Sequence, residues 1–331
     1  MIASPPRRAA LLMPGQGAQY PGMGTGLYRR LEPFRTALDE VFDALGPAGT
    51  ALREDWLSAA PRIPSDDARS SQPLLFALDY ALGRVLLELG LQPVYALGHS
   101  VGELSAAALA GVFDLRDALA ILQQRVAAVG SAPAGGMVAV AATRSEIEPR
   151  LIPGVDVAAV NAPRQVVLAG PREPLQAMVQ ALREDGFTCA PVPSQAPFHS
   201  TALRPLADAA LPLLKSIPVH PAQLSIFSGY TTQPLGPEQT EDPSYWAAQP
   251  VDPVLFWPAL SNLSEHEPDV LIECGPGTSL ITHARRLPAV RNGRCAVVSL
   301  LGPPRNGPGA EFDHFSAAIT ALVPGQDYIG G

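Results

Sequence analysis

The amino-acid sequence predicts an α/β protein in which a large layer around a parallel sheet carries an inserted ferredoxin-like subdomain. Three observations lead there. Short apolar runs alternate with longer segments of 3.6-residue period along most of the chain, the pattern of strands and crossover helices. The stretch from about 137 to 193 instead reads β-α-β-β-α-β, a motif closed on itself. Finally, 331 residues, 47% of them hydrophobic, can bury more core than one simple domain requires.

In chain order, residues 8 to 13 form a first buried strand, 28 to 45 and 74 to 90 two helices, 94 to 97 a strand, and 101 to 110 and 115 to 129 two more helices. The insert, assigned to 133–198, follows as strand "MVAVAAT", helix "RSEIEPRL", strands "VDVAAVN" and "QVVLAG", helix "REPLQAMVQALREDG" and strand "TCAPVPS". The chain then returns through helix 201–215, strand 224–228, helix 253–264, strand 269–273 and helix 278–286, so that 1–132 and 199–331 together make the larger subdomain. Residues 302 to 311, "GPPRNGPGAE", are expected to form a loop and the last ten or so residues to fray. No internal repeat is visible.

Acidic residues outnumber basic ones by eight, and the basic ones are scattered. Neither a nucleic-acid footprint nor a membrane-surface patch stands out, and a small-molecule enzyme fits better. Cys189, Cys274 and Cys295 are odd in number and far apart, which suggests neither a disulfide framework nor a metal site, and a cytoplasmic protein is expected. The apolar run near the start breaks into Pro and Gly too soon for a signal segment or a membrane span.

The segment "VYALGHSVGELSAAALAG" (94–111) places Ser100 where a strand turns into a helix. "GHSVG" fits G-x-S-x-G, with Gly98 and Gly102 allowing a sharp turn and the first unpaired helix amides available to a developing oxyanion. Serine is also a favoured helix cap, and Glu103 can be explained as a first-turn acid, so the pentapeptide alone leaves both readings open. A serine nucleophile needs a base. Of the six histidines, His99 is adjacent but should point away, and His199 in "SQAPFHST" lies where the insert rejoins the large layer, at a cleft edge. His220, His266, His283 and His314 read as surface residues.

Six motifs in order, "PGQGAQYPGMG", "GHSVGE", an arginine twenty-five residues after the serine, "NAPRQVVLAG", "PFHS" and "ECGPG", resemble those of malonyl-CoA:acyl-carrier-protein transacylases and polyketide synthase acyltransferase domains, from about residue 9 to 300. The resemblance implies an α/β-hydrolase-like large subdomain, Ser100 as acyl-accepting nucleophile and His199 as general base. It implies that a main-chain carbonyl near Ser228 or Gly229 orients the histidine, and that the amides of Gln16 and Val101 form the oxyanion hole. Asn161, Gln165, His99 and Phe198 carry over as substrate-binding positions. No cofactor or metal is implied. The substrates would be malonyl-CoA and a phosphopantetheinylated acyl carrier protein, with a monomer as the working expectation. No ketosynthase or carrier segment accompanies these motifs, so a freestanding, trans-acting enzyme of fatty-acid or polyketide synthesis is expected. Arg164, Arg285 and Arg286 are candidates for a basic face toward an acidic carrier.

Arg125 can be read physically as well. On the helix 115–129 it falls inside the apolar stripe of Leu115, Ala118, Leu119, Leu122, Val126 and Val129. A buried guanidinium needs a partner, either an internal acid or, by the resemblance, the free carboxylate of a malonyl group. Phe198 before the histidine and Val101 after the serine favour malonyl over methylmalonyl by the same resemblance. Two departures, "APFH" and the small residues of "QQRVAAVG", keep open the transfer of a bulkier acyl or aminoacyl-type group between carriers. A thioester hydrolase with the same Ser and His is a further alternative, against which Arg125 counts.

Overall fold

The computed structural model describes residues 8–194, 196–303 and 309–323. Half of the loop expected at 302–311, and most of the C-terminal residues expected to fray, lie outside these residues. The strands are β1 (Ala9–Met13), β2 (Pro93–Gly98), β3 (Gly135–Val140), β4 (Asp156–Ala162), β5 (Gln165–Pro171), β6 (Cys189–Val192), β7 (Ser225–Phe227), β8 (Val270–Glu273) and β9 (Ala296–Ser299).

The large layer is a five-stranded parallel sheet in the order β7-β2-β1-β8-β9. Every residue of β1 is fully buried, because a central parallel strand is covered on both faces and therefore reads as a continuous apolar run rather than an alternation. Its register pairs Met13 with Gly98, so β1 and β2 end level and their following loops emerge side by side. That carboxyl edge is where open α/β sheets bind ligands.

The second sheet is antiparallel, in the order β4-β5-β3-β6, with the helix Arg172–Glu184 packed on it. This is the ferredoxin-like subdomain, and its core is Val140, Ile147, Val166, Leu168, Leu175, Met178 and Leu182. Main-chain bonds from Val160 N to Val254 O (2.8 Å) and from Val254 N to Ala158 O (2.9 Å) tie its edge strand to the large layer.

Several elements differ from the expectation. The helix expected over 28–45 is two, Thr25–Arg30 and Glu32–Ala44, because Leu31 is extended and Pro33 has no N–H for the carbonyl one turn back. Residues Pro47–Leu57 form a further helix. The helix expected from 74 begins at Ala68, capped by the Asp67 carboxylate, with Pro73 inside it. The helix expected from 253 starts at Phe256, and β9 and the helix Ala310–Leu322 were not expected. Glu273, at the end of β8, is buried and accepts from Leu280 N (3.1 Å) and Ile281 N (3.0 Å), which fixes the helix Ser279–Ala284 at the sheet edge.

Candidate active site

Gly98 ends β2 and Val101 opens the next helix, leaving two residues to reverse the chain. The turn is possible because a Cβ on Gly98 would strike Glu103 N and one on Gly102 would strike Met13 O. Ser100 is held at φ 55°, ψ −118°, a conformation that costs a non-glycine residue about 1–3 kcal/mol. Its side chain caps nothing. Instead Ser100 Oγ lies 2.8 Å from His199 Nε2, which removes helix capping as the explanation for the serine.

His199 also has a positive φ, 59°. Its main-chain N–H donates to Pro250 O (2.7 Å) and its Nδ1 lies 3.0 Å from Asp252 O. A carbonyl can only accept, so Nδ1 carries the proton and Nε2 presents its lone pair to the serine hydroxyl. The orienting carbonyl is therefore that of Asp252, not one near Ser228 or Gly229. Those two are engaged elsewhere, by Thr232 N and Leu255 N. With 4% of its surface exposed, His199 has its pKa pushed down to about 4, chiefly by burial, and is a neutral base at pH 7.

Gln16 follows β1 and so sits beside the elbow. Its side chain is held by Gln72 Nε2 (3.2 Å) and donates to Asp66 O (3.4 Å). Among the described residues neither Gln16 N nor Val101 N has an acceptor.

Inward of Ser100, a pocket is lined by Arg125, Ala128, Val129, Phe198, Leu206 and Ala207, among others. Arg125 Nη2 donates to Trp246 O (2.8 Å) and Gln249 Oε1 (2.9 Å), while Nη1 and Nε have no acceptor among the described residues. The guanidinium is thus anchored by one corner through neutral acceptors, and burial lowers its pKa. The Gln249 amide turns its other end, Nε2, toward Glu103 Oε1 (3.1 Å). Glu103 is fully buried, and also accepts from Gly229 N (2.7 Å) and the Tyr245 hydroxyl. It is more than a first-turn acid: it braces the loop carrying Tyr230 and, through Gln249, the arginine. Burial raises its pKa to about 7.

Outward of Ser100 the cleft is lined by Gln16, His99, Met137, Asn161, Gln165 and His283. His99 turns away from the serine, with Nε2 2.8 Å from Asn161 Oδ1 and its ring 5.5 Å from that of Phe256. Phe198 borders both halves. His283, expected at the surface, is 8% exposed and lines this half, because Glu273 pins its short helix against the sheet edge; burial lowers its pKa to about 4. Of the arginines considered for a carrier face, Arg164 pairs with Glu146 (3.3 Å) and Arg286 bonds Thr282 O (2.9 Å).

Sequence reasoning missed Gln72, Tyr230, Tyr245 and Gln249. One signal was present: Tyr245 and Gln249 are four apart, so one turn of chain presents both to Glu103. Among the described residues there is no cluster of His, Cys, Asp or Glu able to hold a metal, and no helix long and apolar enough to cross a membrane.

A strained serine beside a neutral histidine is an arrangement suited to acyl transfer. The family model described as "Acyl transferase domain" matches residues 11–320. The chain belongs to this acyltransferase family. The acyltransferase is 33% identical over 302 residues to a type I polyketide synthase of phenolphthiocerol synthesis from Mycobacterium marinum, an alignment that covers 90% of this chain and 14% of that protein. The chain therefore spans only a small part of that relative's length. Among solved structures it is similar to a loading acyltransferase from the avermectin modular polyketide synthase, with 29% identity, a TM-score of 0.82 and coverage of 95% and 99% of the two chains. It is also similar to a malonyl CoA-acyl carrier protein transacylase from Clostridium perfringens, with 26% identity, a TM-score of 0.79 and coverage of 88% and 92%.

Proposed function

We propose that this acyltransferase carries malonyl groups from CoA to the phosphopantetheine thiol of an acyl carrier protein, through an acyl-Ser100 intermediate. The observation that carries the reading is the Ser100–His199 pair opening onto a pocket where Arg125 keeps Nη1 and Nε unengaged. A dicarboxylic acyl chain supplies a missing acceptor: its free carboxylate can accept from an unengaged N–H of the guanidinium in a charge-assisted hydrogen bond.

In the first half-reaction Ser100 Oγ attacks the thioester carbonyl while His199 Nε2 takes the hydroxyl proton, and the amides of Gln16 and Val101 receive the oxyanion. The C–S bond then breaks and the CoA sulfur leaves with the proton held on Nε2. In the second, a carrier thiol gives its proton to Nε2, attacks the serine ester and releases Ser100, which recovers the proton. His99, Asn161, Gln165 and Phe198 line the half of the cleft through which the pantetheine arm would enter. The chemistry calls for no cofactor of its own. Dependence on CoA supports a cytoplasmic enzyme.

The test is intact-mass analysis after incubation with malonyl-CoA and acetyl-CoA, with and without a phosphopantetheinylated carrier. A malonyl adduct lost in Ser100→Ala and discharged by the carrier is expected. An adduct that survives Ser100→Ala overturns the nucleophile, and an enzyme loaded equally by both donors overturns the malonyl reading. A second reading, transfer of a bulkier acyl group between carriers, draws on the small side chains Ala128, Ala207, Ala210 and Ala247 in the pocket wall. Loading from an acyl carrier but not from malonyl-CoA would select it.

A further inference from the structure

Tyr230 lines the inner pocket together with Ser100, Arg125 and His199, yet has no part in the steps above. We propose that its hydroxyl is a second hydrogen-bond donor to the free carboxylate of the serine-bound acyl group, acting beside Arg125 to select a dicarboxylic chain. The inference rests on the malonyl reading of the same pocket.

The side chain is held in place from several sides. Tyr230 N donates to Ser228 Oγ (2.9 Å), and that oxygen is 2.7 Å from the Tyr245 hydroxyl, which in turn donates to buried Glu103. The Tyr230 ring stands perpendicular to that of Tyr245, with centroids 6.3 Å apart, and lies 6.2 Å from the His199 imidazole. It is therefore a fixed part of the wall of the pocket that Ser100 and Arg125 also line. Its hydroxyl interacts with the Ser100 side chain, in the pocket that Arg125 also lines. The Ser100 proton is directed to His199, which leaves the Ser100 oxygen to accept from the phenol at rest; once that oxygen carries an acyl group it is a poor ester acceptor, and the phenol proton is free for the acyl carboxylate.

What would meet that proton follows from donor chemistry. Burial pushes the phenol well above its usual range, so the group stays a neutral donor at every working pH. Arg125 likewise brings only donors. Two donors on one pocket call for a ligand rich in acceptors, and a carboxylate, with two oxygens and no proton, satisfies both. An acetyl or propionyl group offers nothing there. The phenol would then work only when the acyl group ends in an acid, which separates a selective role from a general one on Ser100.

The experiment compares rate constants for loading of Ser100 from malonyl-CoA and acetyl-CoA, by rapid-quench intact mass, in wild type, Tyr230→Phe, Arg125→Ala and the double variant. Removing one hydrogen bond to a charged group is expected to slow malonyl loading of Tyr230→Phe about tenfold or more while acetyl loading stays within about twofold. In the Arg125→Ala background the same substitution should cost less, because the two donors share one ligand. Equal slowing of both donors in Tyr230→Phe would assign the phenol to Ser100 instead and overturn the proposal. Unchanged malonyl preference in that variant overturns it too, leaving the malonyl reading intact. A wild type that does not prefer malonyl overturns that reading and the role of Tyr230 with it. Labelling of Ser100 by a fluorophosphonate at the wild-type rate shows that the variant is folded and its nucleophile intact.

Discussion

Inward of Ser100 the cleft is walled by helices of the large layer and contains a single guanidinium; outward of it the wall is largely strands of the inserted sheet, and the polar groups are amides, hydroxyls and neutral imidazoles. The inner half has a fixed charge and rigid bracing by Glu103 and Gln249, which suits discrimination among acyl groups. In the proposed reaction the outer half would admit the same pantetheine arm twice, once on CoA and once on a carrier protein, so tolerance is more useful there than charge. Selectivity and passage are thus assigned to opposite sides of one serine, and the two can be perturbed separately.

The largest effect should come at the border itself. Ser100→Ala and His199→Ala should each lower carrier acylation by about a thousandfold or more, since neither partner works without the other. Steady-state acylation of a carrier measures this, and substantial residual turnover in either variant would falsify the border as the reacting centre. Next is Arg125→Ala, where malonyl loading should fall about a hundredfold while acetyl loading is spared or improves. Parallel losses for both donors would make the arginine structural and erase the contrast between the halves. On the outer side, Asn161→Ala or Gln165→Ala should raise KM about fivefold for malonyl-CoA and acetyl-CoA alike, leaving their ratio unchanged; a shifted ratio would show that selectivity extends outward.

A subtler effect concerns pH. Imidazolium cannot accept the serine proton, so loading is lost as pH falls through the pKa of His199 in the folded enzyme. That value is depressed to about 4, so the single-turnover loading rate should stay nearly flat from pH 8 to 5. A half-maximal rate near pH 6.5 would show that the imidazole is hydrated and the site open.

Much of this contrast was legible in the sequence, and the remainder was hidden for identifiable reasons. Arg125 stood out because a charge inside a 3.6-period apolar stripe breaks the stripe's own rule. Ser100 stood out because glycines flank it between a strand and a helix. The Asp252 carbonyl had no such mark, since every residue has one and only the folded path of 250–254 brings it to Nδ1. Tyr230 lies in a stretch without period after β7, and reaches the pocket because β7 pairs with β2, a neighbour fixed by sheet order and not by spacing. Glu103 was underestimated because a first-turn acid has a sufficient local explanation. His283 was misjudged because its burial depends on Glu273 pinning a six-residue helix from a distant strand end.

The left-handed backbone at Ser100 and His199 makes heat tolerance and turnover compete for the same two peptide units. Ser100→Gly should relax the elbow and stabilise the fold by about 1 kcal/mol, readable as a rise in Tm, while ending acylation altogether. A hardier version of this enzyme would therefore have to find its added stability away from these two residues, because the strain at Ser100 is what aims its nucleophile.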